Sequence, residues 1–310
     1  MSKTTVSTEW LSGCSGCHVA VVDLHEKLLN LVDSVEFVRI PVLLDERDYP
    51  KANIGIVEGA VRSREDREAL MKMRESVDTL VAFGTCAVYG GPSGIGWLYP
   101  GNSVLECAYG EGPTNAAGER PDADAPQLEQ SVVPIHEVVP VDYYLPGCPP
   151  HPYWIAATIT SLCEEGTNKI VQKTVCSRCD RHMRKNEGVS LKKGEVAGTD
   201  PDLCFLSQGV VCMGSVTMER CLAQCPNRGV ACSGCGGPSS DIITEPHLDM
   251  RTLIAKRMNM LTGIPCEEIQ HYIEQEARTF YSYAMASPVL YRKPTVELRE
   301  WAMRTEREQA

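Results

Sequence analysis

No run of about 18 apolar residues occurs in this 310-residue chain, which argues against a membrane-spanning helix. Positive charge is also in short supply: 30 Lys and Arg face 41 Asp and Glu, a net −11. A nucleic-acid binder needs a basic face to neutralise phosphates, so that class is excluded. The opening Met1-Ser2-Lys3-Thr4 has no charged-then-apolar leader. No export signal is visible, and a cytoplasmic location is expected. Internal repeats and long low-complexity tracts are missing too. Cysteine, by contrast, is abundant, with 15 copies. An odd number in a reducing compartment does not suit a disulfide framework, and metal ligation is the better use. At ~100–200 residues per domain the length suggests two domains.

Eight of the cysteines lie within the 60 residues from 176 to 235. The two regions therefore have different jobs: residues 1–170 form one domain and 171–310 the other. In the first, short apolar runs at Val35–Leu44, Ile54–Val57, Leu80–Phe83 and Val141–Leu145 read as strands. Helical spacing joins Val21, Val22, Leu24, Leu28, Leu29 and Val32. Further helices are expected over Ser63–Ser76, with Ser63 as N-cap and Asp66 three residues on, and over Tyr153–Cys163. Gly110–Pro126 reads as a polar surface insertion. Strand–helix alternation predicts an α/β fold, a flavodoxin-like doubly wound parallel sheet. Beyond it come irregular cysteine-rich turns with too few apolar periods for a core of their own. Helical texture returns over Asp249–Arg304 and is expected to pack back on the first domain.

The first domain's cysteines follow its strands. Leu11-Ser12-Gly13-Cys14-Ser15-Gly16-Cys17 comes after the first strand, Gly84-Thr85-Cys86-Ala87 after Leu80–Phe83, and Pro146-Gly147-Cys148-Pro149-Pro150 after Val141–Leu145. Loops at the carboxyl ends of parallel strands gather at one edge. Cys14, Cys17, Cys86 and Cys148 can therefore meet there, although the outermost are 134 positions apart. Four thiolates suit a [4Fe–4S] cube or a tetrahedral zinc. The alternative is two buried thiols beside a redox Cys-x-x-Cys pair. In the second region, order alone divides the thiols into Cys176, Cys179, Cys204, Cys212 and Cys221, Cys225, Cys232, Cys235. Paired Cys-x-x-Cys motifs serve zinc ribbons as well as iron–sulfur sites. Three cubes in one chain would make an electron wire, which favours iron.

Taken together, Leu11–His18, Val57-Glu58-Gly59-Ala60, Gly84–Ala87 and Leu145–Pro150 resemble the small, electron-transfer subunit of [NiFe] hydrogenases. The segment Cys212–Pro226 is most similar to the cytoplasmic F420-non-reducing, methyl-viologen-reducing type. The resemblance implies three [4Fe–4S] clusters: proximal on Cys14, Cys17, Cys86 and Cys148, distal on Cys176, Cys179, Cys204 and Cys212, medial on Cys221, Cys225, Cys232 and Cys235. It also implies a large partner subunit holding the Ni–Fe centre, and a further iron–sulfur or flavin subunit as acceptor, with heterodisulfide reductase as the expected destination. Two features depart from periplasmic members: Cys176 stands where those have histidine, and Cys225 supplies a fourth medial thiol.

No nickel-binding pair of Cys-x-x-Cys motifs is left over, so no catalytic residue is expected in this chain. Glu58, at the same sheet edge, is a candidate proton relay or a helix cap. His18 could hydrogen-bond a cluster sulfur or cap its helix. Cys107, Cys163 and Cys266 read as packed or partly exposed free thiols. Competing readings are the small subunit of an NAD(P)- or ferredoxin-linked hydrogenase, a zinc-stabilised scaffold, and a flavodoxin-type FMN carrier. The last is disfavoured because its phosphate-gripping turns are replaced by cysteine loops.

Overall fold

In the computed structural model, the described residues are 3–26, 28, 29, 33, 35–41, 43–121, 123–163, 172–194, 199–245, 247–291 and 295–307. The first half follows the expected alternation. Strand β1 (Thr4–Trp10) leads into helix α1 (Gly16–Val22), then come β2 (Val35–Arg39), β3 (Ala52–Glu58) and β4 (Val61–Ser63). Helix α2 (Arg64–Ser76), β5 (Val77–Phe83), α3 (Gly84–Tyr89), α4 (Gly101–Tyr109), β6 (Leu128–Val133), β7 (Tyr143–Leu145) and α5 (Pro152–Cys163) complete it. The five parallel strands are ordered β2-β1-β3-β5-β7. Counting parallel strands only, this is the flavodoxin-like order, with the chain reversing direction between β1 and β3. β3 and β5 are nearly continuously buried, as interior strands covered on both faces must be.

Two expected elements end early. The strand at Val35 stops at Arg39, before Pro41; Val42 lies outside the described residues. Helix α1 ends at Val22 and a turn follows at Asp23–His25, after which Leu28 and Leu29 of the expected spacing are helical again; Val32 is likewise outside the described residues. The expected boundary at residue 170 also falls outside. Missing from the sequence reading is a two-stranded ribbon in which β4 pairs antiparallel with β6.

The sheet's carboxyl edge is straight. Trp10 lies opposite Glu58, Glu58 opposite Phe83, and Phe83 opposite Leu145. Four strands therefore release their loops along one line. At the other side of β3, Ser63 and Asp66 form a reciprocal capping box that starts α2. Asp66 Oδ2 also accepts from Ser12 Oγ at 2.8 Å and from Arg62 N at 2.9 Å. The cap thus ties the loop carrying Cys14 to the helix beneath it.

Two expectations about the second half are corrected. It has a core of its own: Val175, Phe205, Val211, Met213 and Val216 from the cysteine-rich turns bury against Ile254, Met258, Ile269 and Ile273. The last four come from helices α6 (Met250–Thr262) and α7 (Cys266–Gln275). The apolar partners are supplied well downstream of the turns, so local periodicity in the turns could not show them. In consequence α6 and α7 do not pack back on the sheet domain. Helix α8 (Val296–Arg307) does, with Leu298, Trp301 and Ala302 buried in the sheet's main core and Trp301 5.3 Å from the ring of Tyr144.

Ser63→Ala should lower stability by about 1 kcal/mol, the usual worth of a lost N-cap. Asp66→Ala should cost more, about 2 kcal/mol, because three donors lose a charged acceptor. Denaturant unfolding of the assembled protein checks the ranking; equal losses would contradict it.

Candidate functional site

Hydrogen bonds tie the loop after β1 to the end of β3, and the loop after β5 to the loop after β7. Leu11 N donates to Glu58 O at 2.9 Å, and Thr85 N donates to Gly147 O at 2.8 Å. Gly147 N in turn donates to Thr85 Oγ1 at 2.8 Å. This brings Cys14, Cys17, Cys86 and Cys148 into one neighbourhood. Burial pushes the Cys17 thiol far above its ordinary value, and Glu58, Cys86 and Cys148 beside it add to the rise. Cys86 is pushed up to about 12, first by burial and then by Cys148, Cys14 and Glu58. Burial, then Cys14, raises Cys148.

The later thiols also crowd one another, and the crowding crosses from Cys212 to Cys232. Cys176 is pushed up to about 12 by burial, then by Cys212, Cys204 and Cys179, against the pull of Arg257. Cys212 goes to about 11 through burial, opposed by the Gly214 and Cys232 amides, with Cys204 and Cys179 adding to the rise. Burial followed by Cys221, Cys148 and Cys225 takes Cys235 up to about 12. Burial, Cys212, Cys235 and Cys221 hold Cys232 well above its ordinary value. Burial raises Cys221, with Glu219 and Cys225 contributing.

The three groups stand in series. Thr85 Oγ1 donates to Cys235 O at 2.6 Å, joining the first group to the third. Cys232 N donates to Cys212 Sγ at 3.3 Å, joining the third to the second. The group of Cys221, Cys225, Cys232 and Cys235 therefore lies in the middle. Thr85 and Arg257 had no motif to announce them; Thr85 sits inside the Gly84–Ala87 block, but its partner is 150 positions away.

Crowded thiols of this kind are uncharged until a cation compensates them, because burial and like charge both penalise the thiolate. Their donor chemistry therefore fits a bound metal centre. Among the described residues no three His, Cys, Asp or Glu side chains converge as a single bound ion requires. Backbone is close in around the thiols as well. Gly84 has φ +84°, and a Cβ there would lie 2.3 Å from Cys17 Sγ; one at Gly91 would lie 2.5 Å from Cys86 Sγ.

Glu58 is 2% exposed and ends β3. Its Oε2 accepts from His18 N at 2.9 Å, and the carboxylate also accepts from the Cys17 thiol. The His18 ring does not turn to a sulfur. Its Nε2 is 3.0 Å from Thr8 Oγ1 and its Nδ1 3.2 Å from Glu58 Oε2, so it reaches Cys17 only through the carboxylate. Cys107 is exposed on α4, and Cys163 and Cys266 pack partly against the cores; all three stand outside the groups. No helix among the described residues is long and apolar enough to cross a membrane.

The family described as NADH ubiquinone oxidoreductase, 20 kD subunit, matches residues 14–162. A solved NAD+-reducing [NiFe]-hydrogenase in its H2-reduced state superposes with a TM-score of 0.52 at 36% identity, over 54% of this chain and 94% of that one. A flavodoxin-like sheet whose strand ends gather cysteines, with that likeness, defines the chain as an iron–sulfur electron-transfer subunit of the [NiFe] hydrogenase class. It is 33% identical over 298 residues to the G subunit of the F420-non-reducing hydrogenase of Methanothermobacter marburgensis, covering 93% of this chain and 96% of that one. The corresponding vhu-type G polypeptide of Methanocaldococcus jannaschii is 38% identical over 241 residues, 77% of this chain and 82% of its own. The chain belongs to this family of F420-non-reducing hydrogenase G subunits.

Gly84→Ala should remove one centre and leave the others. The positive φ costs an L-residue ~1–2 kcal/mol, and the added methyl displaces Cys17. Iron analysis of the anaerobically purified assembly should show about four irons fewer per chain; an undiminished count would contradict the placement of Gly84.

Proposed function

We propose that the chain relays electrons from H2 oxidation, carried out at the Ni–Fe centre of a large partner subunit, through three [4Fe–4S] clusters to a further redox subunit. Cys14, Cys17, Cys86 and Cys148 hold the proximal one, Cys221, Cys225, Cys232 and Cys235 the medial, and Cys176, Cys179, Cys204 and Cys212 the distal. The observation that carries this reading is the serial contact of the three thiol groups. Thiols that neighbour without converging support a cubane, whose ligand sulfurs are spread around four irons, over a zinc ion that draws them to one point. When bound, such clusters supply one-electron relays whose potentials follow burial and hydrogen bonding to sulfur.

The chain's own residues position and insulate. The Thr85 hydroxyl holds the first and middle groups together across the domain junction. The Cys232 amide, donating to Cys212 Sγ, stabilises negative charge on that sulfur. Glu58, a buried carboxylate against the Cys17 thiol and His18, is the group in this chain that would hold or pass a proton beside the first thiol group. The acceptor that the family likeness favours is a heterodisulfide reductase complex; NAD(P) through a flavin subunit and ferredoxin are the competing destinations.

Cys225→Ala tests the assignment of the middle group. Three remaining thiols hold three irons, so the unliganded corner iron should be lost. Oxidised protein should then gain an electron paramagnetic resonance signal of a [3Fe–4S] centre, with about one iron fewer per chain. Cys107→Ala should change neither. A silent spectrum and full iron in Cys225→Ala would require a different division of the eight cysteines.

A further inference from the structure

The chain's charge is unevenly distributed. Residues 172–194 carry seven Lys and Arg against two Asp and Glu, a net +5, which leaves −16 for the rest of the chain. This basic segment surrounds the last thiol group. It contains Cys176 and Cys179, and His182 O accepts from Cys204 N at 2.9 Å. Two residues further on, Arg184 N donates to Ser207 Oγ at 3.3 Å, so the segment runs alongside the turn that follows Cys204. A second basic residue is drawn in from the middle group: Asn227 Nδ2 donates to Arg178 O at 3.0 Å and Asp180 N donates to Asn227 Oδ1 at 2.9 Å, setting Arg228 on the same rim.

Arg178, Arg184, Lys185 and Arg228 are all exposed. None of them forms an ion pair among the described residues. Arg181 is different: its guanidinium donates to Pro226 O, Asp200 O and Leu203 O and stacks 4.0 Å over Phe205, which fixes the rim's shape. The nearby carboxylates Asp180, Glu187, Asp200 and Asp202 still leave a surplus of four positive charges over residues 172–194, 199–204 and 224–230. Within this rim Met183 and Val230 are 55% and 53% exposed.

We infer that this rim is the docking surface for a negatively charged, one-electron-accepting redox protein. The inference rests on the electron wire proposed above, and it specifies the partner's face as acidic. A basic mouth on an otherwise acidic molecule orients an acidic partner so that its cofactor meets Cys176, Cys179 and Cys204, while the −15 carried by the rest of the chain disfavours other approaches. The same asymmetry disfavours a lipid surface or nucleic acid, whose extended negative charge would meet the acidic flanks as well.

The test uses the assembled hydrogenase and an acidic two-cluster ferredoxin as probe. H2-driven ferredoxin reduction and binding of oxidised ferredoxin by calorimetry are followed in parallel, with methyl viologen as a small cationic acceptor. Ferredoxin reduction should slow steeply between about 50 and about 300 mM salt. R178E/R228E and R184E/K185E should each lower the low-salt rate and the affinity by about tenfold or more, and flatten the salt dependence. R178K/R228K should retain both, and methyl viologen reduction should not fall in any variant. A ferredoxin rate insensitive to salt, or unchanged in both reversal variants, would overturn the docking surface. So would binding to phosphatidylglycerol vesicles or duplex DNA that the reversals abolish while ferredoxin binding stays intact. Salt-dependent ferredoxin binding without any H2-driven reduction would count against the wire and leave the docking surface supported.

Discussion

Like-charged sulfur gathered at one sheet edge is the constraint around which this protein is organised. A thiolate withdrawn from water is costly, and three more beside it make it costlier. The raised positions of Cys17, Cys86 and Cys148 express that cost at the sheet edge. A parallel sheet suits the task because its register, with Trp10, Glu58, Phe83 and Leu145 in one row, delivers loops to a common line without bending any strand. Thiols held there form a site with strong demand for positive charge and little ability to relax. Metal loading there would release protons as the thiols become ligands and would couple binding to folding.

The two halves are not independent bodies. The sheet's main core includes Met218, Ile243, Leu298 and Trp301, all from the second half of the chain. Arg220, 1% exposed, lies 5.2 Å over Trp154, donates to Gln172 Oε1 at 2.8 Å and accepts from His151 N through its own carbonyl at 2.9 Å. Burial pulls its guanidinium down to about 10. A cation this buried, adjacent in sequence to Cys221, locks the helix that follows Cys148 against the turn carrying the middle thiols. Rigid relative placement of neighbouring centres is what electron transfer between them requires, and shared packing supplies it.

Much of this was legible in the residues. Cysteines immediately after apolar runs, each with glycine close by, pointed to a shared sheet edge, because parallel sheets send such loops there. Ser63 and Asp66 announced their helix in the same way, through the chemistry of its first turn. What local pattern could not reveal was contact between distant segments. Thr85 gave no hint of Cys235, and turns lacking apolar periodicity gave none of the core they share with α6 and α7. His18, open between a sulfur contact and a helix cap on the sequence, has its ring against Thr8 and Glu58, partners that adjacency to Cys17 could not show. The family likeness and the sheet order converge on the same class, while the cluster count rests on the thiol groups.

The most direct test of that count is Mössbauer spectroscopy of the 57Fe-labelled assembly, purified without air and titrated with H2. The account predicts about twelve cubane irons for each copy of this chain, besides the single iron of the Ni–Fe centre and any iron of an acceptor subunit, and these cubanes begin oxidised and are reduced in separate steps as H2 is admitted. Zinc in any of the three thiol groups, or iron amounting to the first group alone, would contradict it.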